Sequence, residues 1–237
     1  MKLTDAVPAR CARLVAQAEV DVGLVPVIEY QRIPDVAIVP DVCVGSRAQV
    51  RSVVLAIKVD SLRDVRRIAL DESSRTSAAL LKIIFREFLG FEPEWSSAAP
   101  DVGQMLANND GALIIGDPGM TFARENLQLF DMAELWREHT GLGFVFALWM
   151  VGAASVVKAR RVDFAGARDE GLARVDEIVA FYEPLLNLSA AELKTYLSEN
   201  ISFSISDEMR AGMDLYFRLA HKHGLVPALK PLKSLDA

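Results

Sequence analysis

Apolar residues recur at helical spacing through Cys11, Leu14, Val15 and Ala18, and the pattern then tightens into Asp21-Val22-Gly23-Leu24-Val25-Pro26. This change predicts a helix followed by a short buried strand, with Pro8 in the first helical turn, where a missing N–H costs little. β-Branched runs at 36–39, 42–44 and 50–57, separated by Pro40-Asp41 and Gly45-Ser46, predict consecutive strands. Ser61 stands three residues before Asp64, a variant capping box that predicts a short helix before a strand at 67–70. After the polar turn Asp71-Glu72-Ser73-Ser74-Arg75-Thr76-Ser77, residues 78–89 are apolar on most sides and predict a deeply packed helix. Residues 112–115 predict another buried strand, ended by Gly116-Asp117-Pro118-Gly119.

Farther along, Asp131 to Glu134 form a capping signature before Leu135-Trp136, Gly141-Leu142-Gly143 closes that helix, and 144–151 is again an apolar run. The remainder predicts helices only, at 168–182, from a Ser189 cap to about Ser198, and from Ser206 to near Gly224. Strands alternating with helices predict an α/β fold with a parallel sheet covered on both faces. A helical tail without strands has to pack on an earlier sheet, so the chain leaves one lobe, builds a second and returns.

With 237 residues and 51% hydrophobic content, the chain can bury a large core without covalent staples. Cys11 and Cys43 lie in apolar patterns without metal-like spacing and read as buried thiols of a reducing compartment. No apolar run approaches the ~20 residues of a membrane span and no export signal is visible, so a cytoplasmic protein with no membrane partner is expected. The net charge of −6 and the lack of dense basic stretches argue against nucleic acid as a partner. An anionic ligand therefore has to be attracted locally, by backbone N–H groups and single charges.

The turn after Leu70 offers such a place. In open α/β folds ligands bind beyond the carboxyl ends of strands, where the next helix presents unpaired N–H groups and partial positive charge. Ser73, Ser74, Thr76 and Ser77 add hydroxyls able to donate to carboxylate oxygens, or else one of them caps the helix and the others face water. Arg75, in the first turn, faces the unfavourable end of the dipole and needs an anion: Asp71 or Glu72 within the protein, or a ligand carboxylate. Gly116 and Asp117 follow a second strand at the same sheet edge, with Asp117 either a turn former or a group that orients a substrate hydroxyl, positions Arg75 or acts as a base. Pro26 ends a third strand, and Glu29 lies one helical turn beyond it. His139, His221 and His223 sit near helix C-termini and read as capping residues, and no metal ligand set is expected.

At these residues the chain resembles the chorismate dehydratases of the futalosine route to menaquinone. The resembling stretches are 21–30 (Asp-Val-Gly-Leu-Val-Pro-Val-Ile-Glu-Tyr), Val50-Arg51-Ser52-Val53, 70–77, Ile114 to Pro118, Gly141 to Trp149, and Tyr196-Leu197-Ser198. The resemblance implies a two-lobed type II periplasmic-binding-protein-like fold, with lobe one at 1–56 and 151–237, lobe two at 57–150, and a ligand cleft between them. It implies a carbon–oxygen lyase without metal or organic cofactor, which takes water from chorismate, a dicarboxylate, to give 3-[(1-carboxyvinyl)oxy]benzoate. Loss of the ring hydroxyl and a neighbouring proton makes the ring aromatic, so positioning and carboxylate binding carry much of the catalysis. The substrate's own enolpyruvyl carboxylate is the proton acceptor that this chemistry suggests, and no catalytic base is assigned.

Substrate contacts are expected from Pro26, Glu29, Ser73, Ser74, Arg75, Thr76, Ser77, Gly116 and Asp117. Members of the family begin with a strand and a Tyr-Leu-Asn-type turn that is not found here, so the usual first strand is expected to be missing. Two alternatives stand beside this reading: an enzyme like the one forming 1,4-dihydroxy-6-naphthoate, and a non-catalytic carboxylate-binding protein. Oligomeric state is not legible.

Overall fold

The structure is a computed structural model and describes residues 2–236. Two sheets organise it. β1 (Val22–Pro26) and β2 (Val36–Ser46) flank β8 (Phe144–Gly152), both antiparallel to it. β3 (Val53–Ile57), β4 (Arg67–Asp71), β5 (Glu94–Ala98), β6 (Gly111–Ile115) and β7 (Gln128–Asp131) form a five-stranded sheet in the order β5-β4-β6-β3-β7. The chain crosses between sheets after β2 and again before β8. Domain boundaries at 56/57 and 150/151 would cut β3 and β8, each of which lies whole in one sheet.

The expected all-parallel sheet is not what forms. Only β4 with its neighbours β5 and β6 is parallel, whereas β3 runs antiparallel to β6 and β7. The connector 58–66 holds only the 3-10 turn Leu62–Asp64, and a parallel crossover needs about a dozen residues or more. Ser61 does not cap that turn; its hydroxyl donates to Asp64 Oδ2 at 2.6 Å and accepts from no backbone N–H of the turn. The runs at 36–39 and 42–44 are one strand with a register shift between Ile38 and Cys43, where Asp41 adopts φ 58°. Pro40 is tolerated there because a bulge needs no N–H from it.

The first part of the 50–57 run is not strand either. Val50 and Arg51 instead donate their N–H groups to the Asp131 carboxylate, which also accepts from Ala133 and Glu134 as the cap of α5 (Met132–Thr140). Burial holds the Asp131 pKa above its ordinary value despite those four bonds.

Helices cover both sheets. α1 (Pro8–Ala16) packs on β1; α2 (Thr76–Ile83) runs on as a π-helical segment, Ile84–Leu89; α3 (Val102–Ala107) and α4 (Asp117–Thr121) flank β6. The helix expected at 168–182 is α7 (Phe164–Ala173) and α8 (Val175–Leu186), broken at Arg174, after the short α6 (Val156–Ala159). α9 (Ala190–Thr195) begins with both halves of a Ser189–Glu192 capping box and continues as a π segment, Tyr196–Asn200. α10 (Asp207–Lys222) is capped by Ser206 and packs on β8 and α2.

The tail does return. Gly45 exchanges two hydrogen bonds with Ser202, and Ile38 bonds to Lys233 and Leu235, so the outer edge of β2 is paired. Trp136, Phe144 and Tyr216 meet edge to face at 5.0–6.4 Å, which joins α5, β8 and α10 in one core. A Cβ at Gly212 would overlap the Gly143 carbonyl oxygen, so close docking of α10 on the β8 approach requires glycine there.

Candidate functional site

Because β4 and β6 are parallel neighbours, their carboxyl ends lie at one edge, and antiparallel β3 begins at that edge, with Val53 opposite Ile115. Three pieces of chain therefore meet: the turn 71–76, the turn at 116–117, and residues 50–52. Asp71 ties the first two together. It is buried; its Oδ1 accepts from the Ser73 N–H at 2.8 Å and the Ser73 hydroxyl at 2.6 Å, and its Oδ2 accepts from the Ile115 N–H at 3.2 Å. The Gly116 N–H donates to the Ser52 carbonyl at 2.8 Å, which binds the third piece.

The expected hydroxyl cluster separates into different tasks. Ser73 is engaged by Asp71. Thr76 Oγ1 accepts from the Ile28 N–H at 3.4 Å, and its carbonyl accepts from the Tyr216 hydroxyl at 3.0 Å. Ser74 is only 8% exposed, yet its Oγ has no hydrogen-bond partner among the described residues. Ser77 is equally buried, and no described residue bonds its hydroxyl. None of these hydroxyls caps α2, whose N-terminus has no side-chain cap at all. The first N–H groups of a helix have no intrahelical acceptor, so a buried and uncapped start leaves donors in need of an acceptor.

Arg75 differs from expectation. It occupies the N-cap position of α2 and its guanidinium lies 3.6 Å from Glu29 Oε2, not beside Asp71 or Glu72. Asp71 is already spent on Ser73 and Ile115. Glu29 belongs to the 3-10 turn Val27–Gln31 directly after Pro26, is 7% exposed at its side chain, and also pairs with Arg32 at 2.5 Å. Ile28 and Glu29, just after Pro26, thus meet Thr76 and Arg75 in one contact between the units built on the two sheets.

Gly116 and Asp117 form the other side of the site. Gly116 has φ 69° and ψ −148°, a conformation that glycine adopts without strain, and exposed Asp117 opens α4. Tyr196, from the tail, donates its hydroxyl to Ser52 Oγ at 3.0 Å. Burial raises the Tyr196 pKa and the charge of Asp117 adds to that rise, which puts these groups in one neighbourhood. Arg51 reaches Glu192 at 2.6 Å, one helical turn before Tyr196. Ser52, Tyr196 and Asp71 were not singled out as site residues from the sequence. Ser52 and Tyr196 fall within resembling stretches, but no spacing links residues so far apart.

Two cavities lie outside this cluster. One of about 600 Å³ touches it only through Asp117 and Pro118 and otherwise lies along α3 and α4. The other, about 330 Å³, is apolar, between Leu24, Cys43 and Trp149 of the three-stranded sheet and Phe164 and Ile178 of α7 and α8. Cys43 is buried there with its thiol pKa pushed up to about 12, whereas Cys11 is only half-buried, contrary to expectation; both are free thiols. His139 stacks on Phe88 and His223 pairs with Glu87 at 2.7 Å. Among the described residues no three His, Cys, Asp or Glu side chains are gathered to hold a metal ion, and no helix is long and apolar enough to cross a membrane.

The fold has solved counterparts. A protein of Archaeoglobus fulgidus superposes with a TM-score of 0.66 at 18% identity, over 94% of this chain and 86% of that one. The alkanesulfonate-binding protein of Xanthomonas axonopodis pv. citri, bound to MOPS, gives 0.67 at 12% identity, over 94% and 82%. The periplasmic aliphatic sulphonate-binding protein of Escherichia coli gives 0.60 at 14%, over 97% and 82%. The architecture is therefore the two-lobed fold of periplasmic binding proteins. In sequence, the chain is 29% identical to a chorismate dehydratase of Thermus thermophilus over 234 residues, 91% of this chain and 85% of that protein. A family described as menaquinone biosynthesis matches residues 1–222, across both sheets and the converging turns, and the chain belongs to that family.

Proposed function

We propose that the protein is a carbon–oxygen lyase that removes water from chorismate to give 3-[(1-carboxyvinyl)oxy]benzoate. The observation that carries the reading is the start of α2: uncapped, with Thr76 and Ser77 buried, and flanked by a Ser74 hydroxyl that has no partner among the described residues. A buried donor without an acceptor costs about 1–3 kcal/mol, and a ligand carboxylate would supply the acceptor. The helix dipole favours the same charge. The sequence similarity to a chorismate dehydratase supports the choice of chorismate among carboxylates.

In this reading the substrate lies between the two lobes, where the chain crosses near 47–52 and 141–143. Ser74, Ser77 and the first N–H groups of α2 hold one carboxylate, with Arg75 beside them. Ser73 spends its hydroxyl proton on Asp71 and Glu29 is paired with Arg32, so these two shape the turn, as does Pro26, which has no N–H. Thr76 Oγ1 accepts from Ile28 and keeps its proton for the substrate side. Gly116 leaves room at the second turn, and Asp117 orients the ring hydroxyl that departs. One C–O bond and one C–H bond break, water leaves, and the ring becomes aromatic. Holding the substrate in the reactive geometry is the protein's main contribution.

Incubation with chorismate, followed by absorbance and NMR, tests the reading. Appearance of the enol-ether benzoate is the expected result. Binding without turnover would favour a carboxylate-binding protein, and neither binding nor product would sink the assignment.

A further inference from the structure

Residues 51 and 52 are both held by one face of the segment formed by α9 and its π-helical continuation. Glu192 and Tyr196 are four residues apart, so they project on the same side, and they meet Arg51 and Ser52 in turn. The first pair is ionic and more exposed, with side chains 24% and 45% accessible. The second is a neutral hydroxyl pair against the core: Ser52 is buried and Tyr196 packs on the main apolar cluster.

A serine hydroxyl has one proton and two lone pairs. The phenol is the more acidic of the two groups and takes the donor role, so Tyr196 fills one lone pair of Ser52 Oγ at 3.0 Å. The Ser52 proton must then point elsewhere. The Ser52 backbone is already committed, its N–H to the Val50 carbonyl and its carbonyl to the Gly116 N–H. No described residue accepts from the hydroxyl, and the neighbouring turn is the one at Gly116-Asp117. Hydrogen bonds in series strengthen one another, so a serine that accepts from a phenol is a better donor. Burial and the Asp117 charge both raise the phenol pKa, which keeps this donor protonated.

We propose that Tyr196 is a positioning residue that acts through Ser52: by donating to Ser52 Oγ it aims the serine proton at a carboxylate oxygen of the substrate. The inference rests on the chorismate reading and adds to it a donor from the side of the site opposite α2. Tyr196 does not touch the substrate in this arrangement. Removing its hydroxyl leaves Ser52 free to rotate, so substrate is held less well while the chemical step is little altered.

The test uses the purified chain and four proteins: unmodified, Tyr196→Phe, Ser52→Ala and the double variant, each assayed for chorismate turnover and unfolding temperature. Each single substitution is expected to raise KM roughly tenfold, with a smaller change in kcat. The double variant is expected to match Ser52→Ala, because Tyr196 has no route to the substrate except Ser52. Additive effects of the two substitutions, or a Tyr196→Phe protein with lowered unfolding temperature and unchanged KM, would overturn the inference and leave the chorismate reading standing. Absence of chorismate binding and turnover in the unmodified protein would overturn that reading and this inference with it.

Discussion

Two of the contacts that join the units built on the two sheets differ in kind. At one, Arg75 of the α2 turn faces Glu29; at the other, Tyr196 of the tail faces Ser52. The first involves formal charges but is loose: the separation is 3.6 Å, the arginine side chain is 42% exposed, and Glu29 has a closer partner in Arg32. The second involves no formal charge but is a direct hydrogen bond of 3.0 Å onto the buried Ser52. A loose ion pair with a half-exposed arginine contributes little, whereas a direct hydroxyl–hydroxyl bond sets the direction of a proton. The more conspicuous residue is therefore not the more constrained one, and Arg75 retains freedom to turn toward a ligand.

Substitutions can break this comparison or sharpen it. Asp71→Ala should have the largest effect, since three donors from Ser73 and Ile115 lose a buried acceptor; a loss of about 3 kcal/mol is expected in urea-induced unfolding. A loss below about 1 kcal/mol would mean that the two turns are not held together by this carboxylate. Ser74→Ala should leave the ligand-free protein as stable as before, or up to about 1 kcal/mol more stable, because its hydroxyl has no partner. Chorismate affinity, measured by calorimetry, should fall about tenfold in the same variant. Unchanged affinity would return Ser74 to a packing role.

Arg75→Ala should change stability by less than about 1 kcal/mol, while the KM for chorismate rises severalfold. An unchanged KM would make Arg75 a partner of Glu29 and nothing more. The smallest effect concerns acid. The N–H and hydroxyl of Ser189, and after them Arg51, hold the Glu192 pKa at about 2, below its ordinary 4.5. A depressed carboxylate contributes stability that is fully present above the ordinary value and is lost as pH falls toward the folded one. Unfolding temperature followed from pH 4.5 down to about 2 should thus include this loss, and Arg51→Ala should make it smaller without removing it. An identical acid profile would show that Ser189 alone sets the Glu192 pKa.

The α2 turn was legible from the sequence because its parts are local. A strand, a run of hydroxyl residues and an apolar helix follow one another directly, and the rule that ligands gather beyond strand ends applies to such a segment by itself. The capping residues Asp131, Ser189 and Ser206 were legible for the same reason. Ser52 was not, because its partner Tyr196 lies 144 positions away. Nor was the counterion of Arg75, since Asp71 and Glu72 are nearer in sequence than Glu29 and only the fold shows Asp71 already occupied. β5 and β7 escaped prediction because Glu94 to Ala98 and Gln128 to Asp131 are short and largely polar, and pair as outer strands.

By itself the sequence determined where many of the buried helices and strands lie, where the capped helices start, and that an anion would have to be met by local donors instead of a basic surface. Those properties depend on residues within a few positions of one another and on composition. The tertiary structure decided strand direction, the separation into two sheets, and which polar groups remain unsatisfied. A hydroxyl is a cap, a spent donor or a free one according to what stands within about 3 Å of it. At the α2 turn, where Ser73, Ser74 and Thr76 are nearly adjacent, that environment gave three similar side chains different tasks.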